Sequence, residues 1–210
     1  MLDKATLLLF LPAMLAITLT PGTDTMFVVA SALGGGPKRG VLAAVGIISG
    51  GIVHLGAAAV GVTALVLGSA VIFTTVKFVG AVYLIYLGIR IFADRRPLKT
   101  ADAPVIERTG PQRTVFRGFV TNVTNPKVAL FVMAFLPQFV APTRGPVWLQ
   151  ILELGAIWYG AALLWLSVVG VLVGSAAVVF APSPRIVAWL RYAMASVFVA
   201  LGARLALTTR

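Results

Sequence analysis

Six long, mostly apolar stretches fill nearly the whole of this chain, at approximately 5–31, 41–67, 70–91, 115–139, 147–179 and 186–207. Each is long enough for a helix that crosses the hydrocarbon core of a bilayer, which takes about 20 residues. A water-soluble fold has nowhere to put so much apolar surface, since 60% of the 210 residues are hydrophobic and 11% charged, against roughly 45–50% apolar in a soluble domain. The expected fold is therefore an all-α membrane protein of six transmembrane helices, without room for a separate soluble domain. Met1 to Leu19 has the lysine and apolar run of a signal peptide. However, Asp3 stands beside Lys4, no clear small-residue cleavage site follows, and the run continues through Thr20-Pro21-Gly22 into further apolar sequence. It reads as a first membrane helix.

Short glycine- or proline-rich breaks separate most of the runs: Gly34-Gly35-Gly36-Pro37-Lys38-Arg39, Gly68-Ser69, Pro142 to Pro146, and Ala181-Pro182-Ser183-Pro184. One long connection, which carries Asp94, Arg95, Arg96, Lys99, Asp102, Glu107, Arg108 and Arg113, is hydrophilic. It divides the chain into a first three-helix half (1–92), a loop (93–114) and a second three-helix half (115–210). Loops rich in lysine and arginine stay cytoplasmic, and 11 of the 17 such residues fall on the side of the long loop, with five on the other. The formal charge of +11 thus reads as orientation in a bacterial-type inner (plasma) membrane, both termini outside the cytoplasm, and not as nucleic-acid binding. Three spans per half make the second half enter the membrane in the opposite sense, the inverted repeat of many secondary transporters.

The first span of each half carries the chemistry. Span one is interrupted at Thr20-Pro21-Gly22-Thr23-Asp24-Thr25 and span four at Thr121-Asn122-Val123-Thr124-Asn125-Pro126-Lys127, which are corresponding positions. Thr20-Pro21 and Asn125-Pro126 each pair an N-cap residue with proline at the first helical position, so each reads as the start of a half-helix. Such N-termini bring partial positive charge and free backbone N–H groups to a carboxylate. Thr20, Pro21, Gly22, Asp24, Asn122, Asn125, Pro126 and Lys127 are accordingly the candidate substrate-binding residues. A proline that merely kinks its helix is the plainer alternative, and Pro12 fits it.

Asp24 and Lys127 are ionisable residues within apolar spans, where charge is costly and functional by default. They can pair with each other, or Asp24 can hold a substrate ammonium and take a proton while Lys127 assists the carboxylate. Alternatively, Asp24 caps a half-helix and Lys127 snorkels to the interface. His54 lies mid-span among small residues, as a proton relay or as a neutral partner in an interhelical hydrogen bond. The spacings Gly46 to Gly50 and Gly170 to Gly174 suit close helix contact within one subunit or between subunits, which leaves a homo-oligomer open. Tyr83 and Tyr86, one turn apart, suit an interfacial belt, and Trp148, Trp158, Trp165 and Trp189 suit anchoring and packing. With no cysteine and one histidine, thiol chemistry, thiolate metal sites and a metal cage are not expected, and no cofactor is.

Several ordered segments together resemble the LysE/RhtB family of amino-acid exporters. They are Thr20-Pro21-Gly22 with Asp24; Arg39-Gly40 through Gly46 and Gly50 to His54; Gly80-Ala81-Val82-Tyr83-Leu84-Ile85-Tyr86-Leu87-Gly88; and Gly118-Phe119 through Asn122 to Asn125-Pro126-Lys127, followed by Phe135-Leu136-Pro137-Gln138-Phe139. The resemblance implies efflux of amino acids or related small zwitterionic metabolites, driven by a proton gradient or the membrane potential, and the chain has no ATP-binding GxxxxGK[ST]. Two positions depart from the family's pattern: Thr23 stands where a second proline is frequent, and Gly51 where an acidic residue is frequent. The missing carboxylate favours a neutral amino acid over a cationic one. Two other classes compete. A metal-ion or small-cation exporter needs clustered ligands that one aspartate and one histidine in the spans do not supply. An intramembrane enzyme or assembly factor needs a nucleophile and base set that is not evident.

Overall fold

A computed structural model describes residues 3–93 and 110–175, together with 189, 192–193, 195–200 and 202–203. Most of the expected loop at 93–114, the break at Ala181 to Pro184 and most of the sixth span lie outside the described residues. Every regular element among them is helical: α1 (Lys4–Leu19), α2 (Thr23–Gly35), α3 (Pro37–Gly68), α4 (Ala70–Ala93), α5 (Pro111–Val123), α6 (Pro126–Phe135) and α7 (Val147–Ser175), with short 3₁₀ turns at Leu136–Phe139 and Pro142–Arg144. Three helices, α3, α4 and α7, are long and apolar enough to cross a membrane, and counting the bent pairs α1–α2 (47°) and α5–α6 (59°) as one span each gives up to five among these residues.

Large apolar side chains cover the outside of the bundle as well as its core. Leu8, Val60, Leu67, Val71 and Leu164 point outward, each at least 69% exposed, as side chains facing lipid do. The interior packs large side chains such as Phe10, Ile47, Phe135 and Ile151 together with small ones such as Ala43, Ala44, Ala58 and Ala59, and the small ones let helix backbones approach closely. Helix α3 is the axis of this packing, set against α7, α5 and α2. A Cβ on Gly40 would lie 2.6 Å from Gly170 Cα, and one on Gly50 would lie 2.7 Å from the Phe119 carbonyl oxygen. Gly46 lies against the Val115 backbone and Gly174 against Pro37. The GxxxG spacings therefore serve contacts within the chain. Between α2 and α3 the chain turns at Gly36, whose φ of 77° requires glycine, and Pro37 starts α3 where its missing N–H is harmless.

The two ends of the bundle are tied by polar contacts. At one end Asp3 caps α1, accepting from Thr6 N–H at 2.8 Å, and pairs with Arg144 at 3.0 Å, which also donates to Thr6 Oγ1 at 2.9 Å. The hydrogen bonds from Thr6 hold the Asp3 carboxyl below the usual carboxylate range, with Arg144 adding to the effect. At the other end Arg39, counted from sequence as a loop cation, is folded inward at 8% exposure and donates to Thr114 Oγ1 at 3.2 Å. These contacts fix the direction of the broken pairs: α1–α2 runs from the Asp3 end toward Arg39, and α5–α6 runs from Thr114 back toward Arg144.

Candidate functional site

Although the broken pairs run in opposite senses, the starts of α2 and α6 meet. Asn125 donates from Nδ2 to Thr23 Oγ1 at 3.1 Å, and Asn122 donates from Nδ2 to Asp24 Oδ2 at 3.0 Å. His54 on α3 closes the cluster, its Nε2 lying 3.1 Å from the Asn122 carbonyl oxygen. A carbonyl only accepts, so Nε2 carries the proton. That same carbonyl accepts from Asn125 N–H at 3.0 Å. Asn122, 2% exposed, thus joins both breaks and α3.

The first break differs from its sequence-based expectation. Thr20 is not the N-cap of the new helix: it ends α1, its N–H bonded to Ile17 and its hydroxyl donating to the Ala16 carbonyl at 2.7 Å. The N-cap is Gly22, extended and without a side-chain cap, so Pro21 is not at the first helical position. A hydroxyl that can bond back to its own last turn prefers to do so, and glycine two residues on starts the helix instead. Thr23, Asp24 and Thr25 precede the first backbone bond of α2, from Met26 N–H to the Gly22 carbonyl at 2.9 Å, leaving their N–H groups outside the helical ladder. Asp24, in that first turn, is a favourable place for negative charge. At the second break the expectation and the geometry agree: the Asn125 carbonyl accepts from Val128 and Ala129 N–H, at 3.1 and 3.2 Å, with Pro126 first in α6.

One cavity of about 230 Å³ touches both breaks. Its polar wall is Thr18, Thr20 through Thr25, Asn122 and Asn125; its apolar wall includes Ile17, Ile47, Leu87, Phe131, Trp158 and Phe198. Of the eight sequence candidates, Thr20, Pro21, Gly22, Asp24, Asn122 and Asn125 line it. Pro126 is exposed and does not, the Lys127 side chain lies outside the described residues, and His54 reaches the cluster from behind through Asn122. Tyr83 and Tyr86 pack with ring centroids 6.4 Å apart, and only their neighbour Leu87 reaches the cavity. Among the described residues no group of three His, Asp or Glu side chains is arranged to hold a metal ion.

Residues 15–209 match the family model described as LysE type translocator. The chain belongs to that family. An uncharacterized membrane protein of Vibrio cholerae is 38% identical over 149 residues, 70% of this chain and 71% of its own length. One from Bacillus subtilis is 31% identical over 166 residues, 76% of this chain and 79% of its own. A protein of Salmonella typhimurium named leucine efflux protein is 35% identical over 135 residues, 64% of this chain and 63% of its own. No solved structure matches.

This LysE-type translocator has two aromatic cavity residues to which the sequence assigned no place at the site. Tyr159 on α7 is 8% exposed, and its ring fills the space that Gly51 leaves, where a Cβ would lie 2.8 Å from Tyr159 Cζ. Its neighbour Trp158, taken only as anchor and packing, lines the cavity and stacks on Tyr159 with ring centroids 5.4 Å apart. The Tyr159 hydroxyl and Asn122 Oδ1 are both buried without a hydrogen-bond partner among the described residues. The signal in the sequence was Gly51, where the family pattern has an acid, but nothing local names the distant tyrosine. The Phe135 to Phe139 motif lies beside the cavity: Gln138 donates from Nε2 to the Lys77 carbonyl at 2.8 Å, and Phe131 and Phe135 stack at 4.9 Å next to Trp158.

Proposed function

We propose that this translocator exports neutral amino acids with aliphatic side chains, leucine among them, from the cytoplasm across the bacterial inner membrane as a secondary transporter. The observation that carries the reading is the division of the shared cavity into a polar wall built from both breaks and an apolar wall. An amino acid has the matching division, a zwitterionic head and a side chain. The volume, about 230 Å³, falls below the roughly 300–1,000 Å³ of pockets for drug-sized ligands, which suits a small metabolite. The name of the Salmonella typhimurium relative, leucine efflux protein, supports both the direction of transport and the aliphatic side chain.

In this reading Asp24 takes the ammonium, the first-turn N–H groups of α2 take the carboxylate, and Lys127 assists it. Asn122 and Asn125 hold the two breaks in register, Thr20, Pro21 and Gly22 shape the first one, and Pro126 starts the second half-helix. Asp24, linked through Asn122 to His54, is the group that gains and loses the coupling proton. The chain forms six spans in two inverted halves, 1–92 and 115–210, with the 93–114 loop cytoplasmic and both termini outside. The opposite sense of the two broken pairs supports that arrangement.

The test is efflux from vesicles preloaded with a mixture of amino acids, with wild type compared against Asp24→Asn and Pro126→Ala, with and without an uncoupler. Wild type should release leucine, isoleucine and valine selectively. Asp24→Asn should slow release at least about tenfold, as expected for losing a charge-assisted contact, and the uncoupler should stop it. Equal retention of every amino acid by wild type and both variants overturns the reading.

A further inference from the structure

The buried Tyr159 hydroxyl has no role in the fold that the described residues supply. A tyrosine O–H taken out of water ordinarily finds a partner, yet this one has none among the described residues. Its position is not accidental: the ring stacks almost parallel on Trp158, at 6°, and is seated against the bare backbone of Gly51. Both aromatic residues line the cavity with Asp24 and Asn122. Another buried cavity-lining atom without a partner among the described residues, Asn122 Oδ1, is an acceptor. A hydroxyl donor and an amide acceptor left over around one cavity are the complement of a carboxylate and an ammonium.

We propose that Tyr159, seated by the missing side chain of Gly51, determines substrate specificity: its hydroxyl donates to the carboxylate of the exported amino acid, and its ring limits the side chain admitted. The inference rests on the amino-acid reading of the cavity. Gly51 acts through Tyr159 and is a positioning residue. A methyl at 51 would meet the ring at Cε1 and Cζ, and with Trp158 stacked on Tyr159 the ring is pushed toward the cavity that it lines. Small side chains still fit there and branched ones do not.

The experiment is counterflow of labelled leucine, alanine and phenylalanine into phosphatidylethanolamine–phosphatidylglycerol vesicles holding the full chain. Tyr159→Phe keeps the ring and its packing, so it reads the hydroxyl alone. Its KM for leucine and alanine should rise about tenfold together, the loss of one hydrogen bond to a charged group, with the maximal rate within about twofold of wild type. Tyr159→Ala should admit phenylalanine, raising its rate relative to leucine at least about tenfold, and Gly51→Ala should lower the leucine-to-alanine ratio about fivefold or more. Wild-type KM in Tyr159→Phe, or unchanged substrate ratios in the other two, overturns the proposal while wild type still transports. Wild type that moves none of the three amino acids overturns the exporter reading, and this proposal with it.

Discussion

The two breaks occupy matching positions in oppositely directed pairs, yet they are built from different chemistry. The first, at Thr20 to Thr25, turns the Thr20 hydroxyl back on its own helix and starts α2 at a residue without a side chain, so the N–H groups of Thr23 to Thr25 stand outside the helical ladder beside the cavity. The second, at Asn122 to Pro126, presents side-chain amides that reach across to Thr23 and Asp24 and a carbonyl that receives His54. In the proposed reading one break offers a binding surface and the other holds it in place. Matching positions in the two broken pairs therefore share the interruption without sharing its role, and substitutions in the second should do more damage than those in the first.

Asn122→Ala should have the largest effect. It removes the Asn122 amide that donates to Asp24, a hydrogen bond to a charged group worth about 1.5–3 kcal/mol. Leucine efflux should fall roughly 10- to 100-fold, more than for any single substitution at Thr20, Pro21 or Gly22. An equal loss at Thr20 would erase the difference between the breaks. Gly50→Ala should come next. Its methyl would lie 2.7 Å from the Phe119 carbonyl oxygen and 2.8 Å from Asn122 Cβ, so α5 must be pushed away just where the second break begins. Overpacking of this kind costs about 1–3 kcal/mol, and the purified protein should melt several degrees lower while efflux drops with it.

The class of fold could be read from the chain because the constraint is crude: six apolar runs and a matched pair of proline-centred interruptions survive any detail of packing. Contacts set by distant partners could not. Thr20-Pro21 looked like a helix start because threonine caps well and proline favours the first turn, but the choice between capping forward and bonding back to Ala16 is decided by geometry. Arg39 looked like a loop cation, and only the arrival of Thr114 beside it explains its burial. His54 was legible as a residue needing an interhelical partner, though not that the partner is the carbonyl of a break. The hardest to see was Tyr159, since a glycine announces that something approaches without saying what.

Smaller effects sharpen the comparison. Asn125→Ala removes the contact to the exposed Thr23 hydroxyl, worth about 0.5–1.5 kcal/mol, and should reduce efflux only a few-fold, separating the buried hub at Asn122 from its outer neighbour.

Gly22→Ala should be the mildest. No atom lies within 4 Å of the site where its methyl would sit, and its φ of −143° and ψ of −166° are open to any residue. At an N-cap, glycine is preferred to alanine by about 1 kcal/mol, and the alanine recovers part of this by restricting the unfolded chain. Expression and efflux should stay within about twofold of wild type, because what the first break contributes is backbone N–H groups, and alanine keeps them. Leucine efflux that collapses in a well-folded Gly22→Ala protein would mean that the substrate comes closer to this backbone than a methyl group permits. The first break would then be a surface of contact shaped by the absence of a side chain, as Gly51 is for Tyr159, and its glycine would be as necessary as the amides opposite.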